Sequence, residues 1–163
     1  HEVEVTFDGE PMRIPVKLFT QTVEDASAAP KKRAAHGNSL EVVSAPNKLD
    51  ARNARTGSLT LAISLHEGHA PTTLHISRSA LIEPDLAAWQ ELVDSSDDLL
   101  SWRITPHDIQ FELADTLTST RIALPYEVAR RGAGFWPAIS VTERSTTKKH
   151  APLVVSAGKL EIK

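Results

Sequence analysis

The chain has 163 residues, of which 40% are hydrophobic and 24% charged, which is typical of one globular domain and not of a disordered segment. Its net charge of −3 gives no broad positive field, so wholesale nucleic-acid binding is not favoured. The absence of cysteine excludes disulfides, thiolate catalysis and cysteine metal sites, while no apolar run or signal-peptide pattern indicates a membrane span or leader. We therefore expect a soluble domain, with no indication of its compartment.

Alternating apolar and polar residues predict a β-hairpin in the first part of the sequence. Val3, Val5 and Phe7 alternate with polar residues before a turn signal at Asp8-Gly9, and the alternation resumes beyond it. This period of two is typical of a strand, because residues two apart share one face. Pro15 cannot donate to a ladder, which predicts an edge position or a bulge for the second strand.

Two polar stretches, residues 22–38 and 44–57, interrupt the pattern and are predicted to be long exposed loops. Loops of this length without their own structure are usually functional or disordered. The first stretch contains a run of three basic residues, Lys31, Lys32 and Arg33, which could contact a partner.

A second hairpin is predicted in the middle of the chain. Apolar residues alternate from Leu59 to Leu65 and return at Leu74 and Ile76. Pairing Leu65 with Leu74 would place Ile63 opposite Ile76 and give a continuous apolar face. A one-residue slip would send every side chain to the wrong face, so this register is favoured.

One helix is predicted at about residues 84–95. Pro84 suits the first helical position, and Asp85 suits the positive end of the helix dipole. Four apolar residues at three- and four-residue spacing would face the core, with Trp89 as the anchor. These residues are Leu86, Trp89, Leu92 and Val93.

Short alternating runs continue from residue 102 to residue 162 and bring the total to about ten strands. The prediction is a mainly β fold, an antiparallel β-sandwich or barrel with one short α-helix, formed by residues 1–163 as a single domain. The strand order is not determined by the pattern, so sandwich and barrel stay open.

A group of histidines is the densest set of candidate metal ligands. The predicted hairpin places His66 and His75 on the same polar face, with His69 in the connecting loop. Three imidazoles could hold zinc or another divalent metal and leave a position open. The spacing is not that of the helical metalloprotease motif, and hairpin tips are ordinarily polar. A metal-dependent enzyme or metal-binding domain is therefore an alternative function.

A second basic group precedes an aromatic pair. Arg130 and Arg131 are followed by two glycines and then by Phe135 and Trp136, which predicts a tight bend that sets the aromatic pair against the domain. Trp136 is expected in the core, and Phe135, if exposed, becomes a candidate partner contact. The basic groups could instead bind phosphate or nucleic acid, a second alternative, although solvated loop charge is the more ordinary explanation.

The function favoured by the sequence is that of a non-enzymatic structural or protein-interaction domain. The chain contains no nucleophile elbow, P-loop or kinase signature, so no catalytic residue and no cofactor is predicted. The two long loops could reach a neighbouring subunit, and arms that order on contact tie subunits together. We therefore expect self-assembly or a larger complex, such as a phage or virus particle.

Overall fold

The described residues form fifteen strands and one helix. The structure is a computed structural model that describes residues 2–7, 10–15, 31–34, 37–53, 55–144 and 151–163, the first two ranges as backbone strands. The elements are β1 (Glu2–Phe7), β2 (Glu10–Pro15), β3 (Lys31–Arg33), β4 (Ser39–Ser44), β5 (Lys48–Leu49), β6 (Thr56–Ser64), β7 (Thr72–Ser77), β8 (Ile82–Pro84), α1 (Leu86–Ser95), β9 (Leu99–Ile104), β10 (Asp108–Leu113), β11 (Ser119–Val128), β12 (Gly132–Phe135), β13 (Ala138–Glu143), β14 (Leu153–Ser156) and β15 (Lys159–Ile162).

Two five-stranded antiparallel sheets share one hydrophobic core, so the fold is sandwich-like. Their strand orders are β14-β13-β7-β10-β9 and β3-β4-β6-β11-β8. A three-stranded sheet, β12-β15-β5, contains the one parallel pair among the described strands, β15 with β5. The predicted mainly β fold with one short helix is confirmed.

The predicted hairpin between residues 59 and 76 is wrong, although its strands are present. β6 pairs with β4 and β11, whereas β7 pairs with β10 and β13 in the other sheet. The fully buried Ile63 and Ile76 belong to the same core but to opposite sheets. Alternation identifies the inward face of each strand but not its partner, and here the two apolar faces pack across the sandwich.

The predicted first hairpin is confirmed by the backbone, because β1 pairs antiparallel with β2 and sets Val3 opposite Ile14. The two predicted long loops are partly wrong. Residues 31–33 of the first form β3 and pair with β4, and residues 48–49 of the second form β5. Residues 22–30, 35 and 36 lie outside the described residues.

The helix begins two residues later than predicted. Pro84 ends β8 and pairs with Tyr126, so Asp85 is the N-cap, and its Oδ1 accepts the Ala88 N–H at 3.2 Å. Leu86 was predicted to face the core but is 53% exposed, because it is the first residue of the helix and the buried stripe begins at Trp89. The helix packs against β9 and β11, one strand from each sheet. No helix within the described ranges is long and apolar enough to cross a bilayer.

Tyr126 sits in an aromatic cluster at the centre of the core. Its ring meets those of Trp89 and Trp136 edge to face, with centroids 5.2 Å and 5.8 Å away. The hydroxyl is buried and has no hydrogen-bond partner among the described residues, and this burial raises the pKa of Tyr126.

We expect Tyr126→Phe to raise the free energy of unfolding by about 1 kcal/mol, because it removes a buried hydroxyl without removing a hydrogen bond. Urea denaturation would show a higher midpoint with an unchanged slope. A lower midpoint would mean that the hydroxyl stabilises the native state.

Candidate functional site

Five polar side chains, four of them buried, lie at one end of the sandwich and form a cluster that we call the polar cap. Its members are Asn38, His66, His69, Thr72 and Glu143. They come from the segment before β4, the β6–β7 connection, the start of β7 and the end of β13. The cap therefore joins loops and strands of both five-stranded sheets.

Glu143 is the centre of the polar cap. It continues the inward face of β13 after Ile139 and Val141, so strand geometry directs its carboxylate into the domain, where the side chain is 4% exposed. One carboxylate oxygen, Oε1, accepts the backbone N–H of Ala70 at 2.8 Å. The other, Oε2, accepts from Nδ2 of Asn38 at 3.0 Å.

His66 completes this arrangement from the β6–β7 connection. Its Nε2 lies 2.9 Å and 3.0 Å from the two carboxylate oxygens of Glu143, and its Nδ1 lies 3.1 Å from the Glu67 carbonyl oxygen. The backbone N–H of His66 donates to Oδ1 of Asn38 at 2.9 Å. Both ring nitrogens are thus engaged within the protein.

The charge of Glu143 is stabilised within the cap. Burial raises the pKa of its carboxyl, but the hydrogen bonds from Ala70, His66 and Asn38 and the charge attraction of His66 outweigh this effect. The pKa of Glu143 therefore lies below its ordinary value of 4.5.

Two of the three histidines of the predicted metal site, His66 and His69, contact each other edge to face, and His75 lies elsewhere. The rings of His66 and His69 are 6.2 Å apart, and Nε2 of His69 lies 2.9 Å from the Leu117 carbonyl oxygen. His75 lies on the outer face of β7, with Nδ1 3.2 Å from Oδ2 of Asp108. Within the part of the chain that the structure describes, no three His, Asp or Glu side chains could hold a metal ion. The site was predicted from the register of a hairpin between β6 and β7. Because these strands lie in opposite sheets, that register does not exist.

The second group of predicted residues lies at β12, an edge strand of the three-stranded sheet. Gly132 has φ +148°, a conformation that favours glycine, and it faces Leu81. A Cβ on Gly134 would stand 2.9 Å from Cδ1 of Leu81, so the glycines allow β12 to lie directly on that side chain. The segment predicted as a tight bend is therefore a strand in close contact with the β7–β8 connection.

Phe135 points away from this contact and is 63% exposed, while Trp136 is buried as predicted. Residues alternate faces along a strand, so Ala133 and Phe135 project opposite to the two glycines. Their partners on β15 are Glu161 and Lys159. A large aromatic side chain thus lies in solvent on an edge strand.

One side of the β12 backbone is unpaired within the described part of the chain. Among the described strands, β12 pairs with β15 alone. The Trp136 N–H donates to the Gly158 carbonyl at 3.0 Å, which makes that pair a hydrogen-bonded position of the ladder. Hydrogen-bonded positions alternate in an antiparallel pair, so the N–H and C=O groups of Ala133 and Phe135 point to the open edge.

The surroundings of this edge are basic. Arg130 and Arg131, both exposed, lead into β12, and exposed Lys159 pairs with Phe135 across the ladder. We call the strand β12 together with Arg130, Arg131 and Lys159 the basic edge.

The other predicted partner-binding residues are placed elsewhere. Lys31, Lys32 and Arg33 are all exposed on β3, which pairs with β4 on one side and contacts β14. Nζ of Lys31 lies 3.8 Å from a carboxylate oxygen of Glu41. This segment is therefore less open to strand pairing than β12.

Sequence reasoning missed Glu143 and the edge position of Phe135. A signal for the first was present, because Ile139, Val141 and Glu143 share one parity in β13 and a carboxylate on an inward face requires buried partners. No comparable signal existed for the second, since strand pairing determines which strand lies at an edge.

No protein-family model matches the sequence, and the search of curated proteins finds no significant match.

Proposed function

We propose that this chain is a non-enzymatic protein-interaction domain that joins a larger assembly by adding an extended segment of a partner protein to the basic edge. The observation that carries the proposal is the exposed Phe135 on an edge strand with outward backbone groups. Edge strands accept extended segments through main-chain hydrogen bonds, and side-chain contacts supply specificity.

The charges favour an acidic segment as the occupant. Arg130, Arg131 and Lys159 flank the position that such a segment would take. The one negative charge on β15 is that of Glu161, which pairs with Ala133. An acidic strand with one apolar residue facing Phe135 would satisfy both the charge and the exposed ring.

Pairing of β12 with β12 of a second copy is disfavoured by the same charges. A symmetric pair would place no carboxylate opposite Arg130 and Arg131, because β12 itself contains no acidic residue. A neighbouring subunit of a phage, virus or other particle would therefore contribute a different, acidic segment. The proposed role in an assembly thus takes the form of an acidic segment of another subunit that pairs with β12.

The test uses synthetic extended peptides of alternating Glu and Val, labelled with a fluorophore, and fluorescence polarisation with the full chain. We expect dissociation constants on the order of tens of micromolar, and these constants should rise with added salt because screening weakens the charge attraction. Peptides with Lys in place of Glu should bind much more weakly. Equal binding of acidic and basic peptides would overturn the proposal.

Variants of the chain distinguish strand addition from nonspecific binding of the peptide. Phe135→Asp should weaken binding about thirtyfold, as expected for an aromatic anchor at an interface.

Ala133→Pro removes an outward N–H while leaving the β12–β15 ladder intact, so it should weaken peptide binding without lowering thermal stability. Leu100→Asp is the matched control, because Leu100 is 61% exposed on β9 and should leave peptide binding unchanged. Wild-type affinity in Ala133→Pro would contradict strand addition.

A further inference from the structure

The outer face of one five-stranded sheet contains a hollow that is separate from both the polar cap and the basic edge. Across four strands, the register aligns Gln110, His75, Ser140 and Val154 in one row. The small side chains of Ala138 and Ser140 on β13 lie between His75 and Val154, which leaves a trough of about 380 Å³. Volumes at this lower end of the range for ligand pockets suit a small molecule.

The polar groups of the trough are held in place before any ligand arrives. Oδ1 of Asp108 accepts the Thr105 hydroxyl at 2.6 Å, and Gln110 donates to Oδ2 at 3.1 Å. Nδ1 of His75 donates to the same Oδ2 at 3.2 Å. The hydrogen bond from Thr105 lowers the pKa of Asp108, burial raises it, and the further bonds from Gln110 and His75 leave it below its ordinary value. Asp108 is therefore a carboxylate at neutral pH and orients the imidazole.

This orientation leaves one nitrogen of His75 for a ligand. Donation from Nδ1 makes Nε2 an acceptor in the neutral ring. No hydrogen bond from the described residues reaches Nε2. The hydroxyl groups of Ser140 and Thr142, which also line the trough, can both donate and accept.

The lining selects a class of ligand by its charge. Among the described residues no lysine or arginine lines the trough, and the one carboxylate there, Asp108, would repel phosphates and carboxylates. Exposed Val154 supplies an apolar wall beside the hydroxyl groups. A neutral molecule with several hydroxyl groups and an apolar C–H face complements this mixture.

The backbone around the trough argues for binding and against hydrolysis. The N–H groups of β7 and β13 take part in the ladders of the sheet, so no pair of them is available to stabilise an oxyanion beside Ser140. From these observations we propose that the trough between His75 and Val154 binds a neutral saccharide unit, with Nε2 of His75 accepting a hydrogen bond from a sugar hydroxyl. This site is independent of the interaction function proposed for β12.

The test is titration of the isotopically labelled full chain with the methyl glycosides of glucose, galactose and mannose, followed by NMR. We expect at least one glycoside to shift the amide signals of β7, β13 and β14 with a dissociation constant of about 5 mM. Ser140→Val fills the trough with a residue that suits strands, and His75→Ala removes the acceptor. Each should weaken binding about tenfold, the effect of one lost hydrogen bond.

His107→Ala is the matched control, since His107 is an exposed histidine outside the trough and should leave the affinity unchanged. The amide spectra of all variants establish whether each remains folded. Equal shifts in wild type and Ser140→Val, or shifts with glucuronate or zinc ions but with none of the neutral glycosides, would overturn the proposal.

Discussion

Trp89→Ala is expected to lower the free energy of unfolding by about 4 kcal/mol, which is a large part of the stability of a single domain. Trp89 is fully buried, and its ring lies against those of Tyr126 and Phe111, with centroids 5.2 Å and 5.4 Å away. Its Nε1–H donates to the Pro125 carbonyl oxygen at 2.6 Å, which ties α1 to β11. Truncation would leave a cavity where the helix meets both sheets.

Denaturant titration of three variants separates these contributions. Trp89→Phe retains most of the apolar contact but loses the hydrogen bond, so we expect a loss of about 1.5 kcal/mol. Leu86→Ala changes an exposed residue of the same helix and should stay within about 0.5 kcal/mol of wild type. A loss below about 1 kcal/mol for Trp89→Ala would show that the helix is not an integral part of the core.

Glu143→Ala should lower the free energy of unfolding by about 3 kcal/mol at neutral pH, because it removes the acceptor of three hydrogen bonds in the polar cap. The donors of these bonds are the Ala70 N–H, Nδ2 of Asn38 and Nε2 of His66. Glu127→Gln is the matched control, since it changes an exposed carboxylate of β11 and should have little effect.

The same residue gives a pH dependence of defined sign. The pKa of Glu143 is lower in the folded than in the unfolded protein, so its contribution is fully present above its ordinary pKa of 4.5. That contribution is lost as the pH falls below 4.5 and through the folded pKa. We therefore expect the difference in unfolding free energy between wild type and Glu143→Gln to shrink over this acidic range. A constant difference from pH 7 to pH 3 would contradict a charged, stabilised Glu143.

Alternation and spacing predicted much of the fold. They identified the inward residues of β6 and β7 and the helix around Trp89, because burial imposes periods of two and 3.6 residues. They did not identify the partner of each strand, since Leu65 and Leu74 could equally face each other across a sheet or across the core. β3 and β5 were missed because strands of three and two residues are too short for a pattern.

The candidate sites depended on information that local patterns lack. His66 and Glu143 are far apart in the chain, and only the packing of the β6–β7 connection against the end of β13 brings them together. The predicted group of His66, His69 and His75 was adjacent in sequence yet is divided between the cap and the outer face of β7. Phe135 was recognised as a conditional contact, and its exposure meets that condition.

The three-stranded sheet has a consequence for folding during synthesis. β5 lies early in the chain, and its parallel partner β15 is formed by residues 159–162. Pairings between such distant segments form slowly, because a long loop must close before any contact is gained. A nascent chain on the ribosome can therefore complete most of both larger sheets while β12 still lacks β15. β12 therefore gains its partner among the described strands, β15, late in the synthesis of these residues.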